Sequence, residues 1–158
     1  MFATSPDDLV PREAMLAQSG LDYMLAILAG RAPQPPIART LNYRLDAVED
    51  GRVAFRGTPL FEHANPMGSV HGGWYGTLLD SAMACAVMTR VPRGSAYTTL
   101  EYKVNVTRPL AMGTEIVCEG VVVHAGRSTG VATGEIRGAA DGRLYATGST
   151  TCLIMAVR

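Results

Sequence analysis

The chain has 158 residues, 47% of them hydrophobic, enough for one domain with a sizeable core. Fourteen basic residues balance fourteen acidic ones, so no long-range field gathers nucleic acid or anionic lipid, and Asp80 interrupts the best candidate for the ~20-residue apolar run of a membrane helix. The opening MFATSPDDLV lacks the order of a secretory signal, and Cys85, Cys118 and Cys152 follow no C-x-x-C spacing, which points to core thiols in a reducing, cytoplasmic compartment.

From Pro11 to Leu28, apolar Met15, Leu16, Met24, Leu25, Ile27 and Leu28 recur among polar positions at a spacing that predicts one amphipathic helix. The run RAPQPP then acts as a linker, because each proline fixes φ and discourages helix in the residue before it. These features divide the chain into a helix-and-linker segment, 1–36, and a main domain, 37–158. From Ala38 onward Leu41, Tyr43 and Leu45 alternate with polar residues, and Glu49-Asp50-Gly51 turns the chain into Val53-Ala54-Phe55, a hairpin.

Gly73 to Thr89 is apolar on nearly every side and too long for an ordinary strand, so it predicts a buried helix. Four alternating blocks follow, about Tyr97–Thr107, Glu115–His124, Gly130–Arg137 and Arg143–Leu153, separated by short segments rich in Gly, Pro and Asp. Short connections favour antiparallel neighbours. The expected fold is α+β, with a curved antiparallel sheet wrapped around one apolar helix.

Asp80 is the only charge in that helix, and an unpartnered buried carboxylate costs several kcal/mol. It is either a structural group, hydrogen-bonded or at a subunit contact, or a carboxylate placed in a cleft for use. Upstream, Gly72-Gly73 opens the helix after HANPMGSVH, so free N–H groups of the first turn offer a site for developing negative charge. A glycine pair also serves a plain loop. Gly72 and Asp80 lie about 12 Å apart along a helix, whereas an attacking oxygen must approach to roughly 3 Å. Both groups can serve one reaction centre if a two-fold axis brings one chain's helix start toward the other chain's helix middle.

The segment NPMGSVHGGWYGTLLD, Asn65 to Asp80, and TLEYKVNVTRP, Thr99 to Pro109, resemble the hotdog-fold acyl-CoA thioesterases of the phenylacetate-degradation (PaaI) type, over roughly Thr40 to the C-terminus. The resemblance implies a homodimer or dimer of dimers that hydrolyses an acyl-CoA without a metal or redox cofactor. It implies that Asp80 acts as nucleophile or general base, that the Gly72 N–H polarises the thioester carbonyl, and that Asn65 assists there or at the water. Thr99 positions the water, although a one-residue offset would hand that role to Thr98. His71 organises hydrogen bonds. Candidate substrate-binding residues are Gly73, Trp74, Arg108, Arg127 and Ser128. Trp74 serves the acyl pocket or simple packing, and Arg127, in a Gly-Arg-Ser turn, is preferred over Arg90, Arg93, Lys103 and Arg108 for the CoA phosphates.

Two other hotdog-compatible functions are an enoyl-thioester hydratase or dehydratase, which lacks its acid–base partner on this helix, and a silent acyl-CoA-binding module. GRSTG, Gly126 to Gly130, matches a nucleophile elbow in letters only, because a strand follows where that motif needs a helix. His63, His71 and His124 have no metal-binding spacing.

Overall fold

Six stretches of β-forming residues make one antiparallel sheet in the computed structural model, which describes residues 1–157. They are β1 (Tyr43–Glu49), β2 (Arg52–Gly57), β3 (Ser95–Val106), β4 (Ile116–Ala125), β5 (Thr129–Gly138) and β6 (Leu144–Ala156), in the spatial order β1-β2-β4-β5-β6-β3. The predicted strands are all present, and the α+β architecture is the expected one. The predicted buried helix is α4 (Gly72–Met88), which packs on β2, β3, β4, β5 and β6. Leu78, Leu79, Ala82, Met83, Ala86 and Val87 have no exposed surface. Burying each larger side chain contributes about 1.5–3 kcal/mol.

The helix reaches this depth because the sheet is hollowed beneath it. Gly120 pairs with Gly134, and Gly134 with Gly148, so three glycines line up across β4, β5 and β6. A Cβ on Gly120 would lie 2.3 Å from the Ala82 carbonyl oxygen, and one on Gly134 or Gly148 would come within 2.8 or 3.0 Å of the Met83 side chain. The absent side chains form a groove, and α4 lies in it.

The N-terminal reading needs correction. Instead of one helix over Pro11–Leu28 there are two, α1 (Arg12–Leu16) and α2 (Gly20–Leu28). Ser19 causes the break: its hydroxyl oxygen accepts from the Asp22 N–H at 3.1 Å and its O–H donates to the Asp22 carboxylate at 2.7 Å, a cap that starts a new helix. Gly20 then donates its N–H to the Val91 carbonyl, and its missing Cβ leaves room for the Met88 carbonyl, which ties α2 to the end of α4. A short helix α3 (Pro36–Thr40) also replaces the start of the expected strand at Ala38, with proline at its first position, where no backbone donor is needed. Leu41 therefore caps α3, and the strand begins at Tyr43.

The two sheet edges differ. On β1 the Leu45 N–H donates to the Gln34 side chain at 2.8 Å, and the strand carries a bulge between Leu45 and Ala47. The outer edge of the twelve-residue β3 has no partner among the described residues, and Leu100, Tyr102 and Val106 on that strand are exposed. No helix of the described residues is long and apolar enough to cross a membrane.

Gly120→Ala should lower stability by about 1–3 kcal/mol, because a methyl group meets backbone that cannot step aside. Gly72→Ala, whose Cβ meets nothing within 4 Å, should leave the melting temperature nearly unchanged. Thermal unfolding of the two variants side by side checks the contrast.

Candidate active site

The buried face of α4 leaves one side of the helix partly open, and Gly73, Thr77 and Asp80, spaced at i, i+4 and i+7, lie along it. Asp80 is half-buried, and the Thr99 hydroxyl donates to its Oδ1 at 3.0 Å. Burial pushes the Asp80 carboxyl above the ordinary carboxylate value, and the Thr99 hydroxyl, which favours the anion, opposes that shift. The result is a carboxylate that is oriented, reachable and more basic than one in water. Of the two threonines, Thr99 meets Asp80, while Thr98 is exposed.

Gly72 is the first residue of α4 and is exposed, and its N–H has no acceptor among the described residues. The neighbouring Gly73 N–H is occupied: His71, at the helix N-cap, accepts it on Nδ1 at 2.9 Å. One free donor thus remains at the positive end of the helix dipole, on a residue that borders an open hollow. His71 is held in turn by its own N–H, which donates to the His63 carbonyl at 2.9 Å.

Asn65 organises the loop before α4. Its Oδ1 accepts the N–H groups of Met67 and Ser69 at 3.0 and 3.1 Å, which leaves the side-chain NH2 without a partner among the described residues. Trp74 is core: it is 2% exposed, and its indole N–H donates to the Leu41 carbonyl at 2.9 Å, so packing is its role within the chain.

The basic candidates separate by position. Arg90 pairs with Asp50 at 2.6 Å, whereas Arg108 and Arg127 have no carboxylate partner among the described residues. Arg108 shares a hollow of about 430 Å³ with Gly72, Tyr75 and Val106. Arg127 and Ser128 occupy the exposed turn between β4 and β5. Arg108 bonds to Tyr145 at one end of β6, and Ser128 accepts from Ile154 at the other. Those ends are about 30 Å apart at strand spacing. The chain therefore does not bring Gly72 and Arg108 together with Asp80, Thr99 and Arg127.

Sequence reasoning missed the wall beside Asp80, formed by Ser81, Cys85 and Tyr97. The Tyr43 hydroxyl hydrogen-bonds to Ser81 at 2.9 Å, and burial raises the Cys85 thiol to about 12, with the Asp80 charge adding to the shift. The signal was available in the spacing, since Ser81 and Cys85 share a helix face and Tyr97 lies two residues before Thr99 on a strand. Among the described residues no cluster of His, Cys, Asp and Glu could hold a metal ion.

A curved antiparallel sheet wrapped around one buried helix defines a hotdog fold. Residues 67–145 match the family model of the thioesterase superfamily, and the chain belongs to that family. It is similar to the solved phenylacetic acid degradation-related protein of Ralstonia eutropha, with 30% identity and a TM-score of 0.75 over 83% of this chain and 98% of that one. A mutant of the phenylacetic acid degradation protein PaaI from Thermus thermophilus is 27% identical, with a TM-score of 0.68 over 75% of this chain and 97% of that one. Mouse acyl-coenzyme A thioesterase 13 is 29% identical over 90 residues, 57% of this chain, and the match spans 64% of that relative's length.

Because the folded state holds the Asp80 proton more tightly than the unfolded chain does, ionising Asp80 destabilises the fold. Wild type should lose stability as pH rises from the ordinary value of 3.8 through the raised value, and that loss should persist above it. Asp80→Asn should lack this component. Melting curves of both proteins should coincide most closely near pH 3 to 4 and diverge in favour of the variant toward neutrality.

Proposed function

We propose that the chain hydrolyses acyl-CoA thioesters to a free acid and CoA, in a site shared between two copies of the chain. The observation that carries this reading is one usable carboxylate, Asp80, and one free N–H, at Gly72, on the same helix but about 12 Å apart. No single carbonyl can reach both within one chain. The superfamily supplies the thioester chemistry, and the mouse relative supports CoA as the thiol.

The unpaired β3 edge supports the required symmetry. An antiparallel pairing of β3 with its copy would continue the sheet across a two-fold axis and cover Leu100, Tyr102 and Val106. Because β3 runs from the Asp80 side toward the Gly72 side, such pairing reverses one chain against the other. Gly72 of the partner subunit would then approach Asp80, and the partner's Arg108 would approach Arg127. Two cations that lie far apart in one chain would flank one entrance, a suitable arrangement for CoA phosphates.

In this site Asp80 takes a proton from water while the water oxygen adds to the thioester carbonyl carbon. The resulting oxyanion accepts from the N–H of the partner's Gly72, with the free amide of the partner's Asn65 beside it. When the intermediate collapses the C–S bond breaks, and the proton on Asp80 passes to the departing thiolate. The other route has Asp80 add directly, expel the thiolate and form an acyl anhydride that water cleaves to the free acid. Both routes return Asp80 as the anion, and both use the chain's own groups, water and substrate. Thr99 keeps the carboxylate oriented, and His71 holds the helix start that presents the donor. Free thiols suit a cytoplasmic setting. Residues 37–158 carry the chemistry in this account, and residues 1–36 form an attached segment.

Complementation tests the sharing. Gly72→Val should block the donor, Asp80→Ala should remove the base, and each homodimer should be inactive in thiol release. In a mixed dimer one site carries both lesions and the other none, so random assortment of equal amounts should restore about a quarter of wild-type activity. A doubly tagged, folded, inactive heterodimer would refute the shared geometry.

A further inference from the structure

The N-terminal segment builds something that the family match at residues 67–145 does not include. Beneath α1 and α2 lies a cavity of about 310 Å³. One wall is Met15, Tyr23, Met24 and Ile27 from these helices, and the facing wall is Ser81, Cys85 and Met88 of α4 with Tyr97 of β3. Pro33, Gln34 and Pro35 close one side. Gly20, packed against the Met88 carbonyl, holds the two walls in register.

The lining is apolar in effect. Two of the polar groups in it are tied to protein partners, Ser81 to the Tyr43 hydroxyl and the Gln34 side-chain oxygen to the Leu45 N–H, and Tyr23 and Tyr97 add two hydroxyls to the lining. Side-chain nitrogens and oxygens fully shut off from solvent all have partners among the described residues, so the packing around the cavity is satisfied. Three methionines, Met15, Met24 and Met88, give it walls that adapt to a flexible chain.

Two residues of the lining, Ser81 and Tyr97, neighbour the reacting groups. Ser81 follows Asp80 in sequence, and Tyr97 shares the strand face of Thr99. The Asp80 charge acts on Cys85, Tyr97 and Tyr43. A carbonyl held at Asp80 therefore has an apolar chamber beside it, on the side of the helix away from the Gly72 hollow. At a methylene volume close to the ~30 Å³ share of a liquid water, the chamber takes roughly ten such groups.

We infer that this cavity receives the acyl chain, and that the substrates are thioesters of medium-chain acids, on the order of eight to twelve carbons. The inference rests on the thioesterase reading for its chemistry but not for its binding test. It makes residues 1–36 the determinant of chain length.

The test measures binding and turnover separately. S-decyl-CoA and S-butyl-CoA are thioethers that cannot be hydrolysed, and calorimetry with the full chain should find decyl bound at least tenfold more tightly. Met15→Trp fills the chamber without touching Asp80, and it should erase that preference while leaving butyl binding within about twofold. In thiol release, the same variant should lose at least tenfold in kcat/KM on decanoyl-CoA and little on butyryl-CoA. Should Met15→Trp fail to fold, Leu9→Trp, at an exposed position of the rim, is the substitute with the same expectation. Equal binding of the two thioethers by wild type, or a decyl preference that survives in a folded filled variant, overturns the inference. A decyl preference lost on filling, in a protein that cleaves neither thioester, upholds the chamber and removes the hydrolytic reading instead.

Discussion

The close approach of α4 to the sheet governs the rest of the molecule. Gly120, Gly134 and Gly148 leave a trough across three strands, and Ala82 and Met83 settle into it with backbone close to backbone. That contact fixes both the depth and the rotation of the helix. Leu78, Leu79 and Val87 then point into the core, so Asp80 falls on the side that stays reachable and meets Thr99 of β3. A helix standing further off would leave the hydroxyl short of the carboxylate.

This placement sets stability against chemistry. Burial raises the proton affinity of Asp80 more than its bond from the Thr99 hydroxyl lowers it, which disfavours the ionised fold. The same shift makes the anion a better base for water. Around it the described residues leave no buried side-chain nitrogen or oxygen unsatisfied: the His63 ring is bonded at both nitrogens, to the Leu60 N–H and the Thr40 carbonyl, and Tyr75 accepts from the Leu110 N–H. The surrounding order confines the energetic cost to one side chain. The unpaired β3 edge and the free Gly72 N–H are two further features without partners, and one two-fold axis would answer both.

Much of this was legible in the sequence because it depends on local pattern. Alternation marked five strands, the Glu49-Asp50-Gly51 turn marked the second, and a single carboxylate in an apolar helix stood out against its neighbours. The break between α1 and α2 was less legible, since apolar spacing continues through it and only the Ser19 cap and the Gly20 contact reveal it. The packing role of Trp74 depended on a distant partner, the Leu41 carbonyl, whereas Asn65 bonds within its own loop, to Met67 and Ser69. The chamber beneath the N-terminal helices was beyond reach, because its walls come from residues 9 to 97 and a cavity is a property of what several elements leave unfilled.

Everything functional in this account passes through the Asp80 anion, so its removal is the most direct test. Thiol release from decanoyl-CoA should be measured for wild type and for an Asp80→Asn protein shown to be folded and to assemble as wild type does. Turnover at saturating substrate should fall at least about a hundredfold, because the amide keeps the shape and neither attacks nor deprotonates. Undiminished turnover in that variant would contradict the account, and would return Asp80 to the status of a structural residue.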